Sequence, residues 1–177
     1  MTIQWETPNP LGWNRVDVSA LAASAARELG FCPGDPIEPI VEKLGGEIVY
    51  GDLTDDESDS GSIRIEPSKF VINIPLNTSP LRDRFTIAHE LGHYVLHYLM
   101  PNRDLPDGRK IRYLSAQRYG SDQTEYEANW FAAAFLMPSD TFKAEYIQKG
   151  GDLLKVAEHF KVSPSAASVR AKSLNLI

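Results

Sequence analysis

Only one cysteine, Cys32, occurs among the 177 residues. No disulfide can therefore close within the chain, and zinc cages built from cysteine are excluded. Long apolar runs are missing too: nothing approaches the roughly 18 consecutive apolar residues that a membrane helix needs. Residues 1–8 show neither the basic stretch nor the apolar core of a secretory leader. The expectation is a cytoplasmic protein with no membrane-spanning segment. Positive charge is also short, with 18 Lys and Arg against 24 Asp and Glu and a net charge of −6. Such a deficit argues against a general nucleic-acid binder. The charge is uneven: residues 1–80 carry −8, whereas residues 143–177 carry 6 basic and 3 acidic side chains. Proteins are the expected partners, with the basic tail as a small docking surface. Internal repeats and low-complexity tracts are absent.

What is present is ordinary for a soluble globular chain, with 42% hydrophobic and 24% charged residues. The length suits one domain of roughly 100 to 200 residues. Residues 16–30 combine good helix formers with Gly30 as a stop signal, which predicts a first helix. A turn over 32–36 leads to a short helix over 37–44, closed by Gly45 and Gly46. Runs rich in β-branched residues at 47–50, 62–66 and 69–74 predict a sheet of about three strands. The Asp- and Ser-rich link at 55–61 superficially matches a calcium loop. Pro67, however, stands where an EF-hand requires its bidentate Glu, so a solvated loop is expected.

Ser79 and Pro80 open a helix predicted to run from Leu81 to about Leu99 and to end at Pro101. Residues 101–121 read as a long loop, and 122–137 as a further helix stopped by Pro138. Residues 139–177 read as three short helices broken at Gly150-Gly151 and Ser163-Pro164. The expected class is α+β. A core over residues 1–138 would hold a small antiparallel or mixed sheet and the Leu81 helix. A helical segment over 139–177 would pack on it.

The chemistry concentrates in His89-Glu90-Leu91-Gly92-His93. Residues four apart on an α-helix stand side by side, about 6 Å apart along its axis, so His89 and His93 can grip one zinc ion. Glu90, beside the first histidine, is placed to take a proton from a metal-activated water, as in metalloproteases with this HExxH pattern. Projected at about 100° per residue, Thr86, His89, Glu90, His93 and His97 share one arc of the helix. Phe85, Ile87, Ala88, Leu91, Tyr94, Val95, Tyr98 and Leu99 fall outside it. Two core histidines satisfied by hydrogen bonds would leave Glu90 and the rest of this polar row unexplained. His97, about 12 Å along the axis from His89, is too far for all three histidines to share one ion. It is expected to support a ligand or to be structural, and His159 to be a surface residue.

A catalytic zinc takes three protein ligands and leaves one position open. With no further suitable His or Cys, the third ligand is expected to be a carboxylate. Glu125 shares a helical face with Ala128, Asn129 and Ala132, and the two alanines would let that helix approach the His89 helix. Glu125 is therefore preferred, with Glu127 as the alternative. Asn129, one turn beyond, can orient a ligand through a hydrogen bond. Several Tyr, Arg and His side chains in or near residues 101–121 are open candidates for stabilising an oxyanion.

Two blocks, Arg84 to His97 and Glu125 to Ala132 with Leu136-Met137-Pro138, together with Gly34-Asp35-Pro36-Ile37 and Val71-Ile72-Asn73-Ile74, closely resemble the ImmA/IrrE family of metallo-endopeptidases. That family is gluzincin-like and widespread in bacteria and their mobile elements. The resemblance spans most of the chain. It implies a zincin-like α+β core, a cytoplasmic setting and, as in the best understood members, cleavage of a DNA-binding repressor encoded beside the protease.

The tail from Gly151 to Leu174 looks like a helix-turn-helix and is similar to the family's usual C-terminal segment. Reading DNA would need base-contacting side chains on its second helix, where Ala166, Ala167, Ser168 and Val169 are small or apolar. Packing or docking of a helix-turn-helix repressor is the preferred use, rather than direct DNA recognition. The competing functional reading is a zinc-stabilised module that sequesters a repressor without cutting it.

Overall fold

The computed structural model describes residues 3–51, 62–116 and 122–177. The 55–61 link weighed above as a calcium loop lies outside them. Helix α1 (Arg15–Leu29) starts at Asn14, whose side-chain oxygen accepts hydrogen bonds from the amides of Val16 and Asp17. Such a cap contributes about 1 kcal/mol. The helix stops where Gly30 turns left-handed at φ 72°, a conformation that favours glycine. Its buried face is Val18, Ala22 and Ala26, spaced by one turn and narrow enough to lie close to another helix. Helix α2 (Glu38–Lys43) leads into the sheet.

The sheet has four described strands: β1 (Gly46–Tyr50), β2 (Ser62–Glu66), β3 (Lys69–Ile74) and β4 (Leu114–Ala116). Their order is β1-β3-β2-β4. β1 runs parallel to β3, while β2 is antiparallel to both β3 and β4, so the sheet is mixed. Strict alternation puts Ile63, Ile65, Phe70, Ile72 and Ile74 on the core face. β4 corrects the sequence expectation of about three strands and a plain loop over 101–121. Three residues are too few to show alternation, and the neighbours they pair with are about 50 positions away. The outer edge of β4 is already bridged by Glu6, whose amide donates to Tyr113 O and whose carbonyl accepts from Ser115 N, both at 2.9 Å.

Helix α3 (Pro80–Gly92) is capped by Ser79 with Pro80 in its first turn, as the sequence suggests. A single α-helix to Leu99 does not follow. From His93 to Leu99 the chain winds as a π-helix, and the Met100 amide reaches back five residues to Val95 O. Such wide turns are rare and frequent at functional sites. Nor does Pro101 end the helical path, which continues through α4 (Met100–Asp104) with Pro101 in its first turn. A short 3-10 turn (Asp107–Arg109) precedes β4.

Helix α5 (Asp122–Leu136) packs against both α1 and α3. The approach to α3 is tightest at Gly92: a Cβ there would stand 3.1 Å from Ala128 Cα and O and 3.2 Å from Phe131 Cβ. Gly92→Ala should therefore destabilise the protein by about 1 to 3 kcal/mol through overpacking. Chemical denaturation checks this, with Gly108→Ala, which meets nothing within 4 Å, as the near-neutral control.

Helices α6 (Ser139–Gln148), α7 (Leu153–Phe160) and α8 (Pro164–Ser173) follow. Phe142, Val156 and Phe160 are buried within the same apolar cluster as the sheet face and α5. Arg170 Nε donates to Met137 O at 2.9 Å, tying α8 to the end of α5. Among the described residues no helix is long and apolar enough to cross a membrane.

Candidate metal centre

α3 carries His89 and Glu90, His93 follows as the first residue of the π-helical stretch, and α5 carries Glu125 and Asn129 on the face turned toward them. The close approach at Gly92 and Ala128 brings three donor atoms together. His89 Nε2 and His93 Nε2 are 3.2 Å apart, Glu125 Oε2 is 3.2 Å from His89 Nε2, and Glu125 Oε1 is 3.4 Å from His93 Nε2. A tetrahedral ion with bonds of about 2.0 to 2.1 Å sets its ligand atoms roughly 3.3 Å apart. The spacing fits a divalent metal without rearrangement, and these three residues form a group able to hold one.

The hydrogen bonds behind the donors fix where the protons sit. Asn129 Oδ1 lies 3.0 Å from His89 Nδ1 and is an acceptor, so His89 carries its proton on Nδ1 and turns an Nε2 lone pair toward the centre. On the other side, Glu127 is fully buried and accepts from the amides of Leu11 (3.0 Å) and Gly12 (2.8 Å) and from Gln123 (3.3 Å). Burial alone would raise its pKa, but the hydrogen bonds from His97, Leu11, Gln123 and Gly12 outweigh it and hold the carboxyl below its ordinary range. This carboxylate accepts the Nε2 proton of His97 at 2.9 Å. Neutral His97 then presents Nδ1 as an acceptor to His93 Nδ1–H, 3.0 Å away. His93 Nε2 is left as a second lone pair aimed at the same point.

The electrostatics agree. Burial, then the proximity of His89 and His97, overcomes the hydrogen bond that a protonated His93 would donate to Glu125 and pulls the His93 pKa down to about 4. Burial likewise lowers that of His97, against its bond to Glu127. Burial also works against a charged His89, yet contacts with Glu125, Glu90 and Asn129 outweigh it and raise its pKa. Acid therefore sets a proton on His89 in competition with a cation. Desolvation opposes ionisation of Glu125, but the two histidines hold its carboxyl well below the usual carboxylate range. Beside a His93 that burial keeps neutral, the carboxylate of Glu125 makes the pocket receptive to a cation.

Each residue singled out in the sequence has a definite place. The side chain of Glu125 is 24% exposed and that of His93 only 2%, so the centre opens on the Glu125 side. Glu127 points away from the donors and reaches them only through His97 and His93. His159 lies half-exposed on α7, 3.6 Å from Glu145 and edge-on to Phe160, far from this constellation in its contacts. Sequence reasoning missed the amides of Leu11 and Gly12, which anchor Glu127 from more than 100 residues away; no local pattern marks them. It also left Arg84 without a role: its guanidinium stacks over Phe31 at 5.4 Å and donates to Asp35 O, pinning the turn before α2. Of the segment considered for oxyanion stabilisation, residues 117–121 lie outside the described ones.

Residues 41–172 match the Peptidase_M78 family model, described as an IrrE N-terminal-like domain. Among solved structures, a Mycobacterium tuberculosis transcriptional regulator superposes with a TM-score of 0.60 over 86% of this chain, at 20% sequence identity. The likeness covers 45% of that regulator's chain and speaks for the fold alone. No curated protein matches the sequence.

Proposed function

Because the chain belongs to the Peptidase_M78 family of IrrE N-terminal-like domains, we propose that it is a zinc-dependent endopeptidase acting on a regulatory protein in the cytoplasm. His89, His93 and Glu125 are the zinc ligands in this reading, and Glu90 is the general base. The observation that carries it is the convergence of two imidazole lone pairs and a carboxylate at the spacing of a tetrahedral ion. Three protein donors with an open side suit a catalytic site, whereas structural zinc is normally closed by four. Zinc held there supplies Lewis acidity to a water molecule and to the scissile carbonyl.

The remaining work falls to the chain itself. Glu90, one residue from His89 on α3 and 4% exposed, takes the proton of the attacking water and returns it to the leaving amine. Asn129 holds the His89 ring, and the Glu127–His97 pair holds His93, so neither ligand can rotate or change tautomer. In the same proposal residues 1–138 form the catalytic core and the basic 139–177 segment packs on it and docks the substrate. The substrate suggested by the family resemblance is a DNA-binding repressor encoded nearby. Incubating the zinc-loaded protein with the product of the adjacent gene, followed by mass spectrometry, tests this; an intact partner with zinc bound counts against it.

The two glutamates of α5 separate in a zinc titration. Glu127→Gln should weaken affinity by about 10- to 100-fold, as loss of support behind a ligand typically does. Glu125→Gln should cost more. Competition with a chelating dye measures both, and the opposite order would remove Glu125 from the ligand set.

A further inference from the structure

On the far side of Asn129 lies a cavity of about 340 Å³ between the start of α1, α3, α5 and α8. Its walls are largely apolar, with Phe85, Trp130, Ala133 and Met137 among them. Two arginines, Arg15 and Arg170, also line it, and no acidic residue does. Arg170 is only 5% exposed. Among the described residues its side chain makes one hydrogen bond, Nε to Met137 O, and no carboxylate pairs with it. The outer nitrogens of its fork are thus left to the cavity.

A buried guanidinium is normally paired, because taking a charge out of water is costly unless an anion compensates. Burial, then the like charge of Arg15, pulls the Arg170 pKa down to about 10, so its surroundings as they stand disfavour the cation. An anion between the two arginines would compensate both effects. The planar fork favours a carboxylate, which it can bind through two parallel hydrogen bonds. The volume is at the small end of ligand pockets, which run from roughly 300 to 1,000 Å³, and suits a small ligand.

We propose that this cavity binds a small organic acid, its carboxylate between Arg15 and Arg170 and its aliphatic or aromatic body against Phe85, Trp130 and Met137. The site is separate from the metal donors, and the proposal does not depend on the protease reading. The sequence gives α8 small residues here that are unsuited to DNA; Ala166 and Val169 line the cavity instead.

Calorimetry on the zinc-loaded full-length chain, with hexanoate and benzoate as probes, tests it. At least one acid should bind saturably at one site per chain, with hexanamide and inorganic phosphate roughly tenfold weaker or more. Arg15→Glu changes an exposed side chain, puts a carboxylate beside Arg170 and should weaken the acid by a similar factor with zinc content unchanged. Ala133→Phe fills the cavity and should do the same; if it does not fold, Arg15→Glu decides alone. Absence of saturable binding by either acid overturns the proposal, as does equal binding of the amide or of phosphate. Binding that survives Arg15→Glu also overturns it, since the acid would then not be held between Arg15 and Arg170. Repressor cleavage is untouched by any of these outcomes.

Discussion

Zinc binding should vanish when His89 and His93 are both changed to alanine. Two of the three convergent donors disappear, and the lone Glu125 carboxylate that remains is partly open to water. Wild-type protein should hold close to one zinc per chain by elemental analysis, and the double variant none. The effect should also appear as stability, because a ligand that binds only the folded state contributes RT ln(1 + [L]/Kd). That is about 4 kcal/mol when free metal exceeds Kd a thousandfold. For a chain of this size about 1 kcal/mol moves Tm by roughly 2 to 4 °C, so adding zinc should raise the wild-type Tm by about 10 °C and leave the double variant unmoved. The variant should still fold, since the surrounding apolar cluster of Ile87, Ala88, Leu91 and Phe131 does not include either imidazole. Retention of stoichiometric zinc by a folded double variant would refute the site.

The convergence of His89, His93 and Glu125 was legible because it depends on helical periodicity and on small residues. A four-residue spacing sets two histidines side by side, and Gly92 and Ala128 mark where two helices can touch. Helix boundaries were legible for a similar reason: Ser79, Ser163 and Gly30 act through local hydrogen bonds and backbone conformation that a few neighbouring residues determine. What was not legible arises from contacts distant in sequence. β4 exists because Ile63 to Ile65 offers it an edge, not because Leu114, Ser115 and Ala116 favour a strand. The π-helix over His93–Leu99 contains no glycine or internal proline to announce it. Within it His97 Nδ1 lies 3.0 Å from His93 Nδ1, a pairing of ring nitrogens that helical periodicity alone does not specify. Glu127 was weighed as a ligand because its type is right. Its actual partners, Leu11 and Gly12, are fixed by how the segment before α1 crosses α5.

Replacing Glu90 with glutamine should eliminate cleavage while preserving fold, zinc content and partner binding. Glutamine keeps the shape of the side chain and can still hydrogen-bond at this buried position on α3, but its amide cannot accept a proton from water. Loss of a general base typically costs about 10² to 10⁴ in rate, enough to take a slow, selective protease below detection. Glu90 also raises the proton affinity of His89, so removing its charge makes His89 easier to deprotonate and gives no reason for zinc to be lost. The same substitution separates the enzyme from a module that merely sequesters a repressor. Sequestration needs the metal-supported surface and not the base, so a Glu90→Gln protein would still relieve repression. The decisive assay is a reporter driven by the neighbouring repressor's promoter, read with wild type, Glu90→Gln and the His89/His93 double variant, beside direct cleavage of the purified repressor. An endopeptidase requires that both variants leave the reporter silent and the repressor whole. If Glu90→Gln equals wild type in both assays, the metal is structural and the chemistry assigned to Glu90 is wrong.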